Sequence, residues 1–173
     1  MAEEPALVEV ERAVRDRVGG MHLDMPAAHA VSSLYRAANA LRNHLTQTVL
    51  KPHDLTWTGF VVLWVAWIWD DLETRHVAEQ AGISKATLTG VLTTLEGRGW
   101  LERVGNPADR RRVHVRLTPA GQELMEALYP EFNAEEARVV ARLSRREVGQ
   151  LTRSLRQIVL TLDSDAPRGP DGR

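Results

Sequence analysis

Residues 74–121 read TRHVAEQAGISKATLTGVLTTLEGRGWLERVGNPADRRRVHVRLTPAG, and this stretch decides the fold. A short helical segment runs from Thr74 to Ala81 and closes at Gly82, since glycine takes the positive-φ conformation that ends a helix without steric cost. Ser84 then stands as the N-cap of a second helix reaching about Gly97. Two short helices joined by a glycine-containing turn make a helix-turn-helix. Val77, Ala78, Ile83, Leu88, Val91, Leu92 and Leu95 supply the apolar faces that hold the pair together. Ser84, Lys85, Thr87, Thr89 and Thr93 are left polar and outward. After Gly99 the helical period gives way to strand alternation in residues 100–104 and 113–117. The intervening GNPADRRR makes a hairpin with a long, basic tip.

Helical periodicity dominates the flanks. Leu7, Val10, Val14 and Val18 share one stripe, ended by Gly19-Gly20. Asp24 before Pro26 reads as an N-cap with proline in the first turn. Val31, Leu34, Ala38, Leu41, Leu45 and Val49 follow as a heptad-like seam, which calls for a partner helix. A break at residues 51–55 contains Pro52, and Thr56 caps a third helix through Trp69. That helix is apolar nearly all round and is expected to be buried on every side. Thr118-Pro119 opens the next helix. Pro130 and Asn133 predict a kink or restart there, with residues 133–136 as a capping box, and Ser144 to Glu147 is a second such box. The helix it opens carries Val148, Leu151, Leu155, Ile158 and Leu162 on one stripe. The polar, Pro/Gly-rich residues 163–173 are expected to be disordered.

Composition narrows the function classes. The chain has 173 residues, 22 Lys+Arg, 23 Asp+Glu and no cysteine. Thiol redox switches, disulfides and cysteine-ligated zinc are therefore excluded. The net charge of -1 hides an uneven distribution: residues 73–117 carry eight bases against five acids. A basic middle between neutral or acidic flanks hints at a docking surface for an anion. No apolar run of membrane-spanning length occurs and the acidic, amphipathic N-terminus is not a secretory signal, so the expected compartment is the cytoplasm, with no membrane partner. The six histidines are scattered without metal-site spacing. No catalytic triad, phosphate-cradling glycine loop or paired carboxylates stand out, so the chain is not read as an enzyme.

A helix fits the major groove, where base edges carry a distinguishable pattern of donors and acceptors. A hairpin beside it reaches the neighbouring minor groove, whose focused negative potential attracts arginine. The stretches from Ile83 to Thr89, from Leu95 to Arg103 and from Asp109 to Gly121 resemble the recognition helix, wing entry and wing-to-helix signature of the MarR family of bacterial transcriptional regulators. The order of elements matches over residues 26–162. The resemblance implies a mainly α fold: a winged helix-turn-helix with a two-stranded β-hairpin wing and flanking dimerisation helices. Residues 1–55 and 119–162 would supply those helices, and residues 56–118 the DNA-binding lobe. It implies a homodimer on palindromic double-stranded DNA, by family habit a repressor, released by a small molecule. Arg111 falls where the family places its minor-groove arginine, and Asp109 where a carboxylate braces it. Arg110 and Arg112 flank it, and strand alternation points one of the two back at the protein. Gly90 stands where many members carry a larger polar residue, which shifts base and phosphate contact toward Ser84, Lys85, Thr87 and Thr89.

The family's ligand crevice lies between the dimerisation helices and the DNA-binding lobe. Phe60, Trp64 and Trp67 would give it an aromatic wall, suited to a small aromatic or phenolic effector, with Arg36, Asn39 and His44 as polar contacts. The simplest reading of any one of these tryptophans is core material. No cofactor or metal is expected. Two other classes stay open: a winged helix used as a protein-interaction module, and a metal-responsive regulator.

Overall fold

The computed structural model describes residues 4–105 and 112–165. Seven helices and three short strands follow in order: α1 (Glu4–Val18), α2 (Met25–Leu45), α3 (Trp57–Trp69), β1 (Leu72–Glu73), α4 (Thr74–Ala81), α5 (Lys85–Gly97), β2 (Leu101–Gly105), β3 (Val113–Leu117), α6 (Pro119–Val139) and α7 (Arg145–Asp165). One π turn (Thr46–Leu50) and one 3-10 turn (Lys51–His53) join α2 to α3.

The caps read from the sequence are in place. Asp24 accepts from the Ala27 N–H, Thr56 from Gly59, Ser84 from Thr87 and Thr118 from Gly121, each satisfying a donor that the helix itself leaves open. Ser144 and Glu147 form the reciprocal box: the Ser144 N–H donates to the Glu147 carboxylate at 2.8 Å, and the Glu147 N–H to Ser144 Oγ at 3.3 Å. Gly82 ends α4 at φ 63°.

Helix α3 is the centre of the core. Phe60, Val62, Leu63, Val65 and Ala66 are buried, and α4, α5, α6 and β3 pack around them. Val77, Leu88, Leu92, Leu95, Val115, Met125 and Leu128 close the cluster. The expectation that α3 is buried on every side needs correction along one side and at its end. Ile68 and Trp69 keep about half of their surface, 51% and 45%, and Trp57, Val61, Trp64 and Trp67 are only partly buried.

The expected hairpin is present: β2 pairs antiparallel with β3, Leu101 opposite Leu117 and Gly105 opposite Val113. A third strand joins it, since β1 pairs with β3 and the order is β1-β3-β2. Helix α6 does not restart at Asn133. Pro130 sits within it on the exposed side, where the carbonyl freed by the missing N–H faces solvent, and the helix continues to Val139. Asn133 Nδ2 donates to the Glu136 carboxylate at 3.0 Å inside that continuous helix. At the other end, residues 163–165 were expected in the disordered tail and instead belong to α7, whose final turn the Ser164 hydroxyl closes on the Thr161 carbonyl. The remainder of that tail, 166–173, lies outside the described residues. Among the described residues no helix is long and apolar enough to cross a membrane.

Helices α1 and α7 make few contacts with the rest of the chain. On α7, Leu151, Ile158, Val159, Leu160 and Leu162 are all exposed, and on α1 so are Val8, Val10 and Val14.

Candidate nucleic-acid interface

Helix α5 is built from its cap outward. Ser84 Oγ accepts from the Thr87 N–H and also pairs with the Thr87 hydroxyl at 2.9 Å. Leu88, Leu92 and Leu95 lock the inner face into the core. Lys85, Thr87, Thr89, Gly90, Thr93 and Thr94 remain exposed. Three threonine hydroxyls donate back to their own helix: Thr89 to the Lys85 carbonyl at 2.9 Å, Thr93 to Thr89 at 3.0 Å and Thr94 to Gly90 at 3.0 Å. A β-carbon added at Gly90 would meet no atom within 4 Å, so the middle of this face is bare.

Beside α5 a groove of about 320 Å³ runs between Thr74 and Arg75 of α4, Lys85 and Thr89 of α5, and Arg103 and Val113 of the sheet. Three of its eight lining residues, Arg75, Lys85 and Arg103, are basic, which suits a polyanion. Much of the local positive charge is nevertheless held by carboxylates. Arg103 donates to Glu96 at 2.5 Å, and that contact holds the Glu96 carboxyl below its usual range. Arg112 Nη1 donates to Glu73 at 3.0 Å, tying the base of the wing to β1. Of the two arginines beside Arg111, Arg112 is thus engaged with the protein. Arg116 Nε donates to Asp71 at 2.7 Å, and His114 Nδ1 lies 3.1 Å from the same carboxylate. Arg116 is the principal cause of the lowered Asp71 pKa. The clasp holds Asp71, which with Asp70 before it has a positive φ, 54° and 34° respectively, a region in which aspartate is more common than most residues other than glycine. Asp109, Arg110 and Arg111, the expected wing-tip contacts and brace, lie outside the described residues.

The six residues expected around an effector separate in the structure. Phe60 and Trp64 line a cleft of about 180 Å³ between α2, α3 and α6, together with Leu41, Trp57, Tyr129, Phe132 and Glu136. Phe60 stacks on Phe132, centroids 4.3 Å apart, and Trp57 leans on both rings. Trp67 is not part of this wall, because its ring packs on Tyr129 at 5.3 Å from the other side, beside Asp70 and Gln122. His44, Arg36 and Asn39 do not line the cleft either. His44 Nε2 lies 2.6 Å from Glu135, which also accepts from Arg138. Arg36 donates to Ser32, and Asn39 accepts from Arg42, so both are engaged along their own helix. The sequence reading missed Trp57, Tyr129 and Phe132 as wall residues. The last two, three apart on α6, were the available signal. Among the described residues no group of three His, Asp or Glu could hold a metal ion.

Residues 55–113 match the MarR family. The chain is 38% identical over 136 residues to the HTH-type transcriptional regulator YwaE of Bacillus subtilis (strain 168), covering 79% of this chain and 80% of that one. Among solved structures it is similar to the S. aureus MepR–DNA complex, with a TM-score of 0.68, 25% identity, and 75% and 96% of the two chains covered. It is also similar to NadR in complex with 4-hydroxyphenylacetate, with a TM-score of 0.63, 27% identity, and coverage of 73% and 89%.

Proposed function

The chain belongs to the MarR family, and from that premise we propose that it is a homodimeric repressor that binds a palindromic operator and is released by a small aromatic or phenolic effector. The observation that carries the reading is the Ser84-capped helix α5, which presents Lys85 and a row of hydroxyls beside a groove holding Arg75 and Arg103, next to the wing. Lys85 and the Ser84–Thr87 end of α5 contact phosphates and base edges. Arg111, with Asp109 as its brace, enters the minor groove, and Arg110 supports it on the phosphates. Arg112 holds the wing against Glu73. Residues 56–118 form the DNA-binding lobe, and residues 1–55 and 119–162 form the dimerisation flanks. The unpartnered apolar faces of α1 and α7 favour that division. The site of action is the cytoplasm.

The effector occupies the cleft lined by Phe60, Trp64, Tyr129 and Phe132, whose stacked rings suit a flat apolar body. The phenolic ligand of NadR supports that class. Binding there shifts the population toward a spacing of the two lobes that no longer matches half-sites about 34 Å apart.

The test is a gel shift on the DNA upstream of the protein's own gene, across a salt series, with Arg111→Ala alongside. A salt-sensitive complex is expected, weakened at least tenfold by the substitution and released by 4-hydroxyphenylacetate or a related phenol. Equal affinity of the variant at fixed salt would remove Arg111 from the interface.

A further inference from the structure

We propose that α5 reads thymine, with Thr89 and Thr93 as the residues that determine base specificity; this rests on α5 being the recognition helix. Lys85, Thr89 and Thr93 follow one another four residues apart along the exposed side of the helix. Their hydrogen bonds form a ladder: the Thr93 hydroxyl donates to the Thr89 carbonyl, and the Thr89 hydroxyl to the Lys85 carbonyl. A hydroxyl whose single proton is given to the helix has none for a base. It keeps lone pairs and so can only accept, and beside it stands a methyl group. Each of the two threonines therefore offers the DNA one acceptor and one apolar contact.

The base pairs differ in how they meet that offer. Guanine shows two acceptors, N7 and O6, and needs donors such as arginine or lysine. Cytosine shows an N4 donor but no methyl. An A·T pair alone presents both complements in the major groove, the N6 donor of adenine and the C5 methyl of thymine. Gly90 adds no competing donor, since it has no side chain, and Thr94 is engaged with the Gly90 carbonyl in the same manner. Among the described residues of α5, Lys85 is the one long donor, and it sits at the first position, at the edge of the face. Beyond its first turn, where one hydroxyl of the Ser84–Thr87 pair keeps a free proton, the helix thus faces the groove with acceptors and methyls, and with a single ammonium at its rim.

The experiment selects duplexes with the full chain from DNA randomised across two half-sites. Thymines of the best duplex are then replaced one at a time by deoxyuridine, which removes only the C5 methyl. Selection is expected to return T·A pairs in the positions α5 covers. Each replacement there should weaken binding about fourfold, the loss that goes with one buried methyl. The double variant Thr89→Ser with Thr93→Ser keeps both hydroxyls and loses both methyls, so it should bind thymine and deoxyuridine duplexes equally while retaining salt-sensitive affinity. Two results would overturn the proposal: a wild-type protein that binds its selected duplex with indifference to deoxyuridine, or a double variant that discriminates as well as the wild type. A protein that selects no duplex at low salt overturns the DNA-binding reading itself, and the thymine proposal falls with it. The discrimination ratio is read within the wild-type protein, so it does not depend on how well the variant folds.

Discussion

Two glycines, thirty-one residues apart, show how position decides the worth of a side chain. At Gly121 a β-carbon would stand 1.8 Å from the Trp100 carbonyl oxygen, which already accepts the Thr118 N–H. The start of α6 lies directly on the entry to the wing, and neither backbone can give. At Gly90 the same atom would meet nothing within 4 Å. Gly121→Ala should therefore destabilise the protein by about 3 kcal/mol or abolish folding, as overpacking of a closed site does. Gly90→Ala should stabilise it by up to about 1 kcal/mol, because alanine loses less backbone freedom on entering a helix. Thermal unfolding of the two variants beside the wild type separates these outcomes, and a shift of the same sign in both would refute the geometry. Asp54, Asp70 and Asp71 also have positive φ values without being glycine. The last is held by Arg116 and His114, a tie across sequence that no local pattern announces.

At the scale of elements, helices α2 and α6 are joined by one ionic cluster as well as by the aromatic cleft. Glu135 lies between His44 and Arg138, and these two contacts, Arg138 the larger, hold its carboxyl down to about 2 against an ordinary 4.5. A carboxylate whose pKa is depressed by folding stabilises the folded state above its unfolded pKa. That contribution is lost as pH falls through the folded value. The wild type should therefore exceed Glu135→Gln in stability at neutral pH, with the difference shrinking from about pH 4.5 toward pH 2. Urea midpoints of both proteins across that range provide the measurement. A difference that stays constant with pH would detach the effect from ionisation of Glu135. The sheet illustrates the opposite dependence on context. Strand β1 spans two residues, Leu72 and Glu73, and exists through its pairing with His114 and Val115. Through Glu73 and Asp71 the segment around it engages Arg112 and Arg116, which fixes the base of the wing.

The molecule as a whole leaves apolar surface that one copy cannot bury. Helix α7 stands off its own chain with Leu162 at 65%, Leu160 at 61% and Val159 at 55% exposure. Faces of this kind on a folded chain mark an interaction site. In the proposed homodimer a second copy, with its own α1 and α7, would supply matching faces, and an isologous pairing would close the assembly. Light scattering at micromolar concentration should therefore give twice the chain mass. Leu151→Glu with Ile158→Glu should give a monomer whose helical content is retained and whose operator affinity drops by at least tenfold, since two half-sites then no longer bind as one unit. A wild-type monomer, or a dimer unaffected by both charges, would contradict the division into lobe and flanks.

Local signals made most of the architecture legible. The caps at Asp24, Thr56, Ser84, Thr118 and Ser144, the turn at Gly82 and the switch from helical to strand period after Gly99 depend on residues within four positions of one another, so the sequence carries them openly. The polar face of α5 was legible for the same reason. Contacts between distant segments were not. Pairing of β1 with β3, the clasp of Asp71 on Arg116, the turn of Trp67 toward Tyr129 and the withdrawal of His44 to Glu135 join residues about forty to ninety positions apart. Their energies arise only once the core has brought those segments together. Phe60 and Trp64 read identically as core or as pocket wall along the chain. Which of the two they are depends on whether α6 leaves a gap opposite them, and that is a property of packing, not of periodicity.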